Sequence, residues 1–288
     1  MRLLHLTDTH FGVDRWFRGA PRGWRRADDH LAIARVALAP ALAGEVDAVV
    51  HTGDLFDRSR PTDRAVAAAA ELLEEVARAV PLLVMPGNHD RRGLGGHFPR
   101  AAWVIDRPTV VDLAGVRVAA VPFLRDAGTW AAAAREVCAG GVDLLLAHQA
   151  FEGARVPGHT FRSEPDTIRE CHLPTGVTTI LCGHIHPRQV TRVGGAVVVQ
   201  PGSTERTAFS ERFDTKGALR WEDGAWRFVD LPARPMALVR GPDELAAVGP
   251  GTLVRLEPGD EDLEAAVLAR GGWVAPWARP SAQVPLFG

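Results

Sequence analysis

Tyrosine is absent from this chain, lysine occurs once, at Lys216, and no apolar run is long enough to cross a membrane. Each absence narrows the possibilities. One lysine among 33 Lys and Arg residues is the kind of bias a GC-rich genome produces, and it says little about activity. Without a stretch of about 18 apolar residues, no transmembrane helix is expected. The three cysteines, Cys138, Cys171 and Cys182, are scattered and show no pairing pattern. That argues against a disulfide scaffold and fits a reducing cytoplasm. A cleaved leader is not expected, because Met1-Arg2-Leu3-Leu4-His5 runs straight into a strand followed by the candidate site residues Asp8 and His10. A formal net charge of -2 excludes a generally basic nucleic-acid binder.

What is present is a repeated metal-ligand vocabulary. Five blocks carry it: Asp8-Thr9-His10, Gly53-Asp54-Leu55-Phe56-Asp57, Gly87-Asn88-His89-Asp90, Ala147-His148-Gln149 and Gly183-His184-Ile185-His186. Each follows a short apolar run that reads as a buried strand. Residues just past such strands lie on loops at the carboxyl edge of a sheet, where α/β folds bind ligands. Carboxylates, an amide oxygen and imidazoles, with no thiolate, suit Mn²⁺, Fe²⁺ or Zn²⁺ better than a soft-metal or iron–sulfur site. The number of donors matches two divalent ions sharing one carboxylate, the arrangement that clamps both oxygens of a phosphoryl transfer. A lone Asp or His at a strand end is more often a cap or a solvated loop residue. Five blocks in order weigh against that for the set, though Asp57 alone could cap a helix starting near Pro61. Of the remaining histidines, His159, in the loop after His148, is the one that could join the site.

This arrangement resembles the calcineurin-like metallophosphoesterase superfamily over roughly residues 1–230 in motif order. Residue by residue, the resemblance implies that Asp8, His10 and His186 bind one metal and that Asn88, His148 and His184 bind a second. It implies that Asp54 bridges them, that His89 protonates the leaving oxygen as general acid, and that Asp57 hydrogen-bonds His89 and keeps it protonated. Arg91 becomes a candidate grip on a phosphate oxygen. Two divalent ions, Mn²⁺ before Fe²⁺ or Zn²⁺, are the expected cofactors.

Strands alternate with helices and then give way to an antiparallel half, which predicts an α/β fold built as a two-sheet αββα sandwich over residues 1–232. Residues 26–43 predict a helix with its apolar stripe on Leu31, Val36, Leu38 and Leu42. Residues 62–79 predict another, with Val66, Ala69, Leu72, Leu73 and Val76 facing inward. Residues 236–277 predict a small β-α-β-α-β cap domain, with its first helix at 243–248, and residues 278–288 a flexible Pro-rich tail.

His5-Leu6-Thr7-Asp8-Thr9-His10-Phe11-Gly12, the Gly-Asp-Leu-Phe block, and Gln200-Pro201-Gly202-Ser203-Thr204-Glu205-Arg206 followed by Phe209-Ser210-Glu211 are similar to the SbcD-type DNA repair exonucleases. Asp57 stands where those enzymes often carry His. The resemblance implies DNA as partner and a repair nuclease as function. The alternatives are a phosphodiesterase for a small molecule such as a cyclic nucleotide, and a DNA-repair accessory binding protein. Arg15, Arg18, Arg22, Arg25 and Arg26 crowd the segment after the first block, and Arg22, Arg25 and Arg26 are candidate DNA contacts near the mouth of the site. No amphipathic helical pair follows the cap to grip the coiled coil of an SbcC-type ATPase, so a stand-alone enzyme is expected. Gln283-Val284-Pro285-Leu286-Phe287 resembles the pentapeptide by which bacterial repair proteins dock on the sliding clamp, with Gln283 as polar end and Leu286 and Phe287 as apolar anchors.

Overall fold

The structure is a computed structural model that describes residues 1–90, 94, 102–256 and 260–276. The candidate contacts Arg91, Gln283, Leu286 and Phe287 lie outside these residues. The chain forms two compact units, Met1–Val13 with Ala27–Ala233, and Asp14–Arg26 with the residues from Arg234 onward.

The larger unit is an αββα sandwich. Its first sheet takes β1 (Arg2–Leu6), β2 (Ala48–His51), β3 (Leu82–Val84) and β4 (Trp103–Val104). Its second takes β5 (Thr109–Leu113), β6 (Val116–Val121) and β7 (Leu144–His148). A short ribbon, β8 (Arg155–Val156) and β9 (His159–Thr160), interrupts the second sheet, which β10 (Thr179–Gly183), β11 (Gln189–Val193) and β12 (Ala196–Gln200) complete. The chain then returns to the first sheet with β13 (Gly217–Glu222) and β14 (Ala225–Asp230). The spatial orders are β14-β13-β1-β2-β3-β4 and β11-β12-β10-β7-β6-β5. β1 to β4 run parallel, as do β6, β7, β10 and β12, so the five strands that precede the candidate ligand blocks present their carboxyl ends together within each sheet.

The two-residue period of a strand divides its side chains between layers. Leu3 of β1 and Leu144 and Leu146 of β7 share a core between the sheets with Val50, Leu83, Val118 and Leu181. Leu4 and Leu6 turn the other way, onto α1 (Arg26–Leu42) and α2 (Asp63–Ala79). Leu145 and Ala147 turn onto α3 (Ala127–Cys138), where Trp130 is fully buried. The central strands are therefore dry on both faces, which explains why they read as continuous apolar runs, whereas the outer strands β14 and β11 are partly exposed. Each fully buried Leu contributes about 1.5–3 kcal/mol.

α2 buries Ala65, Ala69, Leu72, Leu73 and Val76, with Val66 at the edge of the same face. Its cap is Thr62, whose hydroxyl accepts from the Ala65 N–H, so Asp57 does not cap this helix. The stripe expected on α1 is rotated in the structure. Ile33, Ala34, Ala37, Leu38 and Ala41 are buried, whereas Val36 is 49% and Leu42 38% exposed. Alanines let the helix approach the sheet closely, and their weak hydrophobicity hid the true face in the sequence.

The second unit has a parallel sheet of β15 (Met236–Val239), β16 (Leu253–Leu256) and β17 (Trp273–Val274), with α4 (Glu261–Ala269) packed on it. The helix expected at 243–248 is a 3₁₀ helix, Pro242–Ala247. Residues 14–26 join this unit rather than the first. Arg18 and Val274 exchange backbone hydrogen bonds of 2.8 Å, Trp24 packs on Trp273 with ring centroids 4.7 Å apart, and the Arg234 guanidinium lies over both indoles.

Candidate metal centre

The ligand blocks fold into tight turns whose backbone few sequences adopt. Asp8, His10, Asp54 and His184 all sit at positive φ, at 50°, 45°, 51° and 82°. Such positions cost of order 1–3 kcal/mol each for non-glycine residues and cluster at functional sites. Gly53 and Gly87 make the turns possible. A Cβ on Gly53 would run into the His148 ring, and one on Gly87 into the Asp54 carboxylate.

Two groups of donors converge. Asp8, His10 and His186 form the first, with candidate ligand atoms all within 4.8 Å of one another. His10 Nε2 and His186 Nε2 are 3.0 Å apart, and they lie 4.0 Å and 3.9 Å from Asp8 Oδ1. Asp54, His148 and His184 form the second group, again within 4.8 Å. Asn88 joins it, its Oδ1 being 3.1 Å from His148 Nε2 and 2.8 Å from His184 Nδ1. The Asp54 carboxylate stands between the groups: Oδ1 is 3.4 Å from His148 Nε2 and Oδ2 is 3.9 Å from His10 Nε2. Every residue that sequence reasoning singled out as a ligand is thus brought to one place.

This donor set fits a pair of divalent cations. Asp8 and Asp54 are buried carboxylates whose charge is offset by histidines rather than by a permanent cation beside them. Two imidazole nitrogens 3.0 Å apart can share at most one proton, whereas a cation satisfies both lone pairs. Burial raises the Asp8 carboxyl despite His148 and His186. Burial would raise Asp54 too, but His148, His10 and His89 together pull it below the ordinary carboxylate range. Burial opposes a proton on His148, yet the Asp54 and Asp8 carboxylates outweigh it and push the ring up to about 9. His184 goes the other way, lowered to about 3 by burial and by His148.

His89 stands beside the pair rather than in it. Its ring is 42% exposed, its Nε2 lies 4.0 Å from Asp54 Oδ2, and its backbone N–H donates to Asp54 Oδ1. The expected hydrogen bond to Asp57 is made, but by the wrong part of the residue. His89 Nδ1 donates to the Asp57 main-chain carbonyl at 2.7 Å, while the Asp57 carboxylate faces Arg58 at 3.5 Å. The tight turn holds the peptide group, and not the side chain, under the ring.

Several supporting residues carried no assignment in the sequence. Asp90 is 4% exposed and accepts three backbone N–H groups, from Leu55, Phe56 and Gly87, tying the Asp54 loop to the Asn88 loop. Thr52 offers its carbonyl to His148 Nδ1 at 2.7 Å and its hydroxyl to the buried His5 ring at 2.8 Å. Glu211, 5% exposed, lies 2.9 Å from His186 Nδ1. Phe123 packs its ring against His184 and His148. Asp90 and Glu211 stood in motifs already noted; a carbonyl contact such as that of Thr52 leaves no trace in residue identity. His159 pairs with Glu164 Oε1 at 2.8 Å instead of joining the cluster.

The arginine segment differs from expectation. Arg26 begins α1 with its side chain buried, 1% exposed, and is therefore not a surface contact for DNA. Arg25 pairs with Asp14 at 2.7 Å, Arg18 pairs with Glu264, and Arg22 is exposed.

A family model for calcineurin-like phosphoesterases matches residues 1–188. The chain is 26% identical over 226 residues to the DNA double-strand break repair protein Mre11 of Methanosarcina mazei, covering 74% of this chain and 34% of that one. The Mre11 proteins of Thermoplasma acidophilum and Haloferax volcanii are 28% and 30% identical, over 70% and 75% of this chain and 56% and 48% of theirs. The chain thus spans about a third to just over half the length of these relatives. Among solved structures, the Thermus thermophilus protein TT1561 superposes with a TM-score of 0.51 at 15% identity, covering 80% of this chain and 98% of that one, a likeness of fold.

Proposed function

This chain belongs to the calcineurin-like phosphoesterase family, and we propose that it is a two-metal phosphodiesterase acting on DNA as a repair nuclease. One observation carries the chemistry: a single buried carboxylate, Asp54, turns one oxygen toward each of two groups of ligand atoms. Resemblance to the Mre11 proteins supports DNA as the substrate.

In this reading Asp8, His10 and His186 would hold one divalent cation, Asn88, His148 and His184 would hold the second, and the Asp54 carboxylate would serve both. When bound, such a pair polarises a phosphoryl oxygen and acidifies water near neutral pH. The protein's own part is to position and to move a proton. His89, anchored through Nδ1 on the Asp57 carbonyl, presents Nε2 to solvent beside Asp54, where it can protonate a departing oxygen. Mn²⁺ is the metal we propose, from the mixed O/N donors. Arg22 and Arg25 are proposed as contacts to the DNA backbone, and Arg91 as a grip on phosphate. The tail bearing Gln283, Leu286 and Phe287 is proposed as a clamp-docking peptide.

The test is a panel of single-stranded DNA, duplex ends, a cyclic nucleotide and bis-p-nitrophenyl phosphate, assayed with Mn²⁺, Fe²⁺ and Zn²⁺. Mn²⁺-stimulated DNA cleavage that chelation and Asp54→Asn both abolish is the expected result. Activity persisting in EDTA would overturn the two-metal reading, and cleavage confined to the cyclic nucleotide would overturn the substrate.

A further inference from the structure

The two ligand groups are supported differently. In the second, the far nitrogen of His148 meets a neutral group, the Thr52 carbonyl at 2.7 Å. In the first, the far nitrogen of His186 meets a buried carboxylate, Glu211 Oε1 at 2.9 Å. That carboxylate is itself held on every side. Thr207 donates its hydroxyl to Oε1 at 2.6 Å and its N–H to Oε2 at 3.1 Å. Lys216 donates to Oε2 at 2.6 Å.

Lys216 is the one lysine of the chain, and its side chain is fully buried. Its ammonium also reaches Ser203 Oγ at 2.9 Å, the His186 carbonyl at 3.4 Å and Asp214 Oδ2 at 3.5 Å. A compact ammonium can meet acceptors spread around one point. A planar guanidinium cannot, which gives a physical reason for lysine here in a chain that otherwise uses arginine. The lysine thus touches both ends of one device: the carboxylate that holds the His186 ring and the main chain that carries it.

We propose that Glu211 and Lys216 are positioning residues for the first metal, acting through His186. Glu211 accepts from His186 Nδ1, which fixes the ring's tautomer and leaves the Nε2 lone pair aimed at Asp8 and His10. Lys216 offsets the charge of the buried carboxylate and holds it in place. Occupancy of the first group depends on this pair, and occupancy of the second does not. This rests on the two-metal reading above.

Calorimetric titration of the chelator-treated protein with Mn²⁺ tests it, with electron paramagnetic resonance reporting whether bound ions are paired or isolated. Glu211→Gln keeps shape and removes charge. It should weaken one of two Mn²⁺ sites by about 10–100-fold and leave the other unchanged, since such outer partners of ligating histidines carry that weight. At Mn²⁺ concentrations that fill the remaining site, the signal should be that of an isolated ion. The isotherm should match that of His10→Ala and not that of His184→Ala. Lys216→Met should act in the same direction. Thr207→Val, which removes only a half-buried hydroxyl, should weaken the same site less, and it serves if the other variants fail to fold. Wild-type affinity at both sites in Thr207→Val and Glu211→Gln, or equal weakening of both sites, overturns the proposal. A wild-type protein that takes up no Mn²⁺, Fe²⁺ or Zn²⁺ would instead overturn the two-metal reading itself, and this inference with it.

Discussion

At the scale of single residues, the chemistry divides between groups whose identity matters and groups that only lend a peptide bond. His89 is of the first kind. His89→Ala removes the proposed acid but no ligand, so metal content should stay at the wild-type level. DNA cleavage should slow by roughly 10²–10⁴-fold. Bis-p-nitrophenyl phosphate, with a leaving group that needs little protonation, should suffer less. Metal loss in this variant, measured by elemental analysis, would make His89 a ligand instead. Asp57 is of the second kind, because His89 leans on its carbonyl. Asp57→Ala keeps that carbonyl and should change turnover by less than about tenfold, or 1.4 kcal/mol. A change as large as that of His89→Ala would return the role to the carboxylate. The sequence made His89 and Asp57 visible together but could not say which atoms meet.

At the scale of elements, the site is a set of loops that must be kept in register. Asp90 does this between the loops after β2 and β3 by accepting three N–H groups. Burial and the Asp54 charge push its carboxyl up, the three N–H groups oppose them, and the balance leaves it at about 6. Asp90→Ala leaves those donors buried and unpaired, at roughly 1–3 kcal/mol each before relaxation. Asp90→Asn retains one accepting oxygen and should cost less. Urea unfolding of the metal-free proteins would rank them; equal stability of Ala and wild type would remove Asp90 from this role. The strands and their ends were legible from apolar runs followed by candidate ligand blocks, whereas their order in the two sheets was not. The face of α1 was not, because its contacts fall on Ala34, Ala37 and Ala41, residues that periodicity weighs lightly.

At the scale of the whole molecule, the buried histidines set a pH dependence. His5, His51 and His184 are lowered to about 3 by burial first, and His10 well below its ordinary value. The unfolded chain takes up protons on these rings near pH 6.5 and the folded chain does not, so stability of the metal-free protein falls as pH drops below 6.5. Each contributes up to about 1.4 kcal/mol per pH unit. His148, raised to about 9, has the opposite sign: its contribution is complete below 6.5 and lost as pH rises through 9. Metal-free stability should therefore peak near 6.5. Mn²⁺ should displace the His148 proton, seen as proton release in calorimetry, and flatten the alkaline limb. A metal-free protein equally stable at about pH 6.5 and 9.5 would contradict this assignment. Arg22 and Arg25 belong to the smaller unit. If they touch the DNA backbone, replacing both should flatten the salt dependence of DNA binding and leave bis-p-nitrophenyl phosphate turnover unchanged. A peptide of residues 278–288 should bind the cognate sliding clamp in calorimetry and lose binding on Leu286→Ala with Phe287→Ala; no binding by the unaltered peptide ends the docking proposal.

The amino-acid sequence by itself determined the candidate ligand types, their order, and their delivery to strand ends. Those features are local: a strand announces itself by its apolar run, and a ligand by its side chain. Tertiary structure alone decided which atoms face which. His184 and Asp8, whose backbone N–H and carboxylate meet, are 176 positions apart. The αL turns at Asp8, His10, Asp54 and His184 are strained conformations that only the surrounding packing can impose. The carbonyls of Thr52 and Asp57 carry no residue identity to read. Lys216 and Glu211 are five positions apart, but their meeting with His186 depends on bringing the turn before β13 to the loop after β10, and no local pattern encodes that contact.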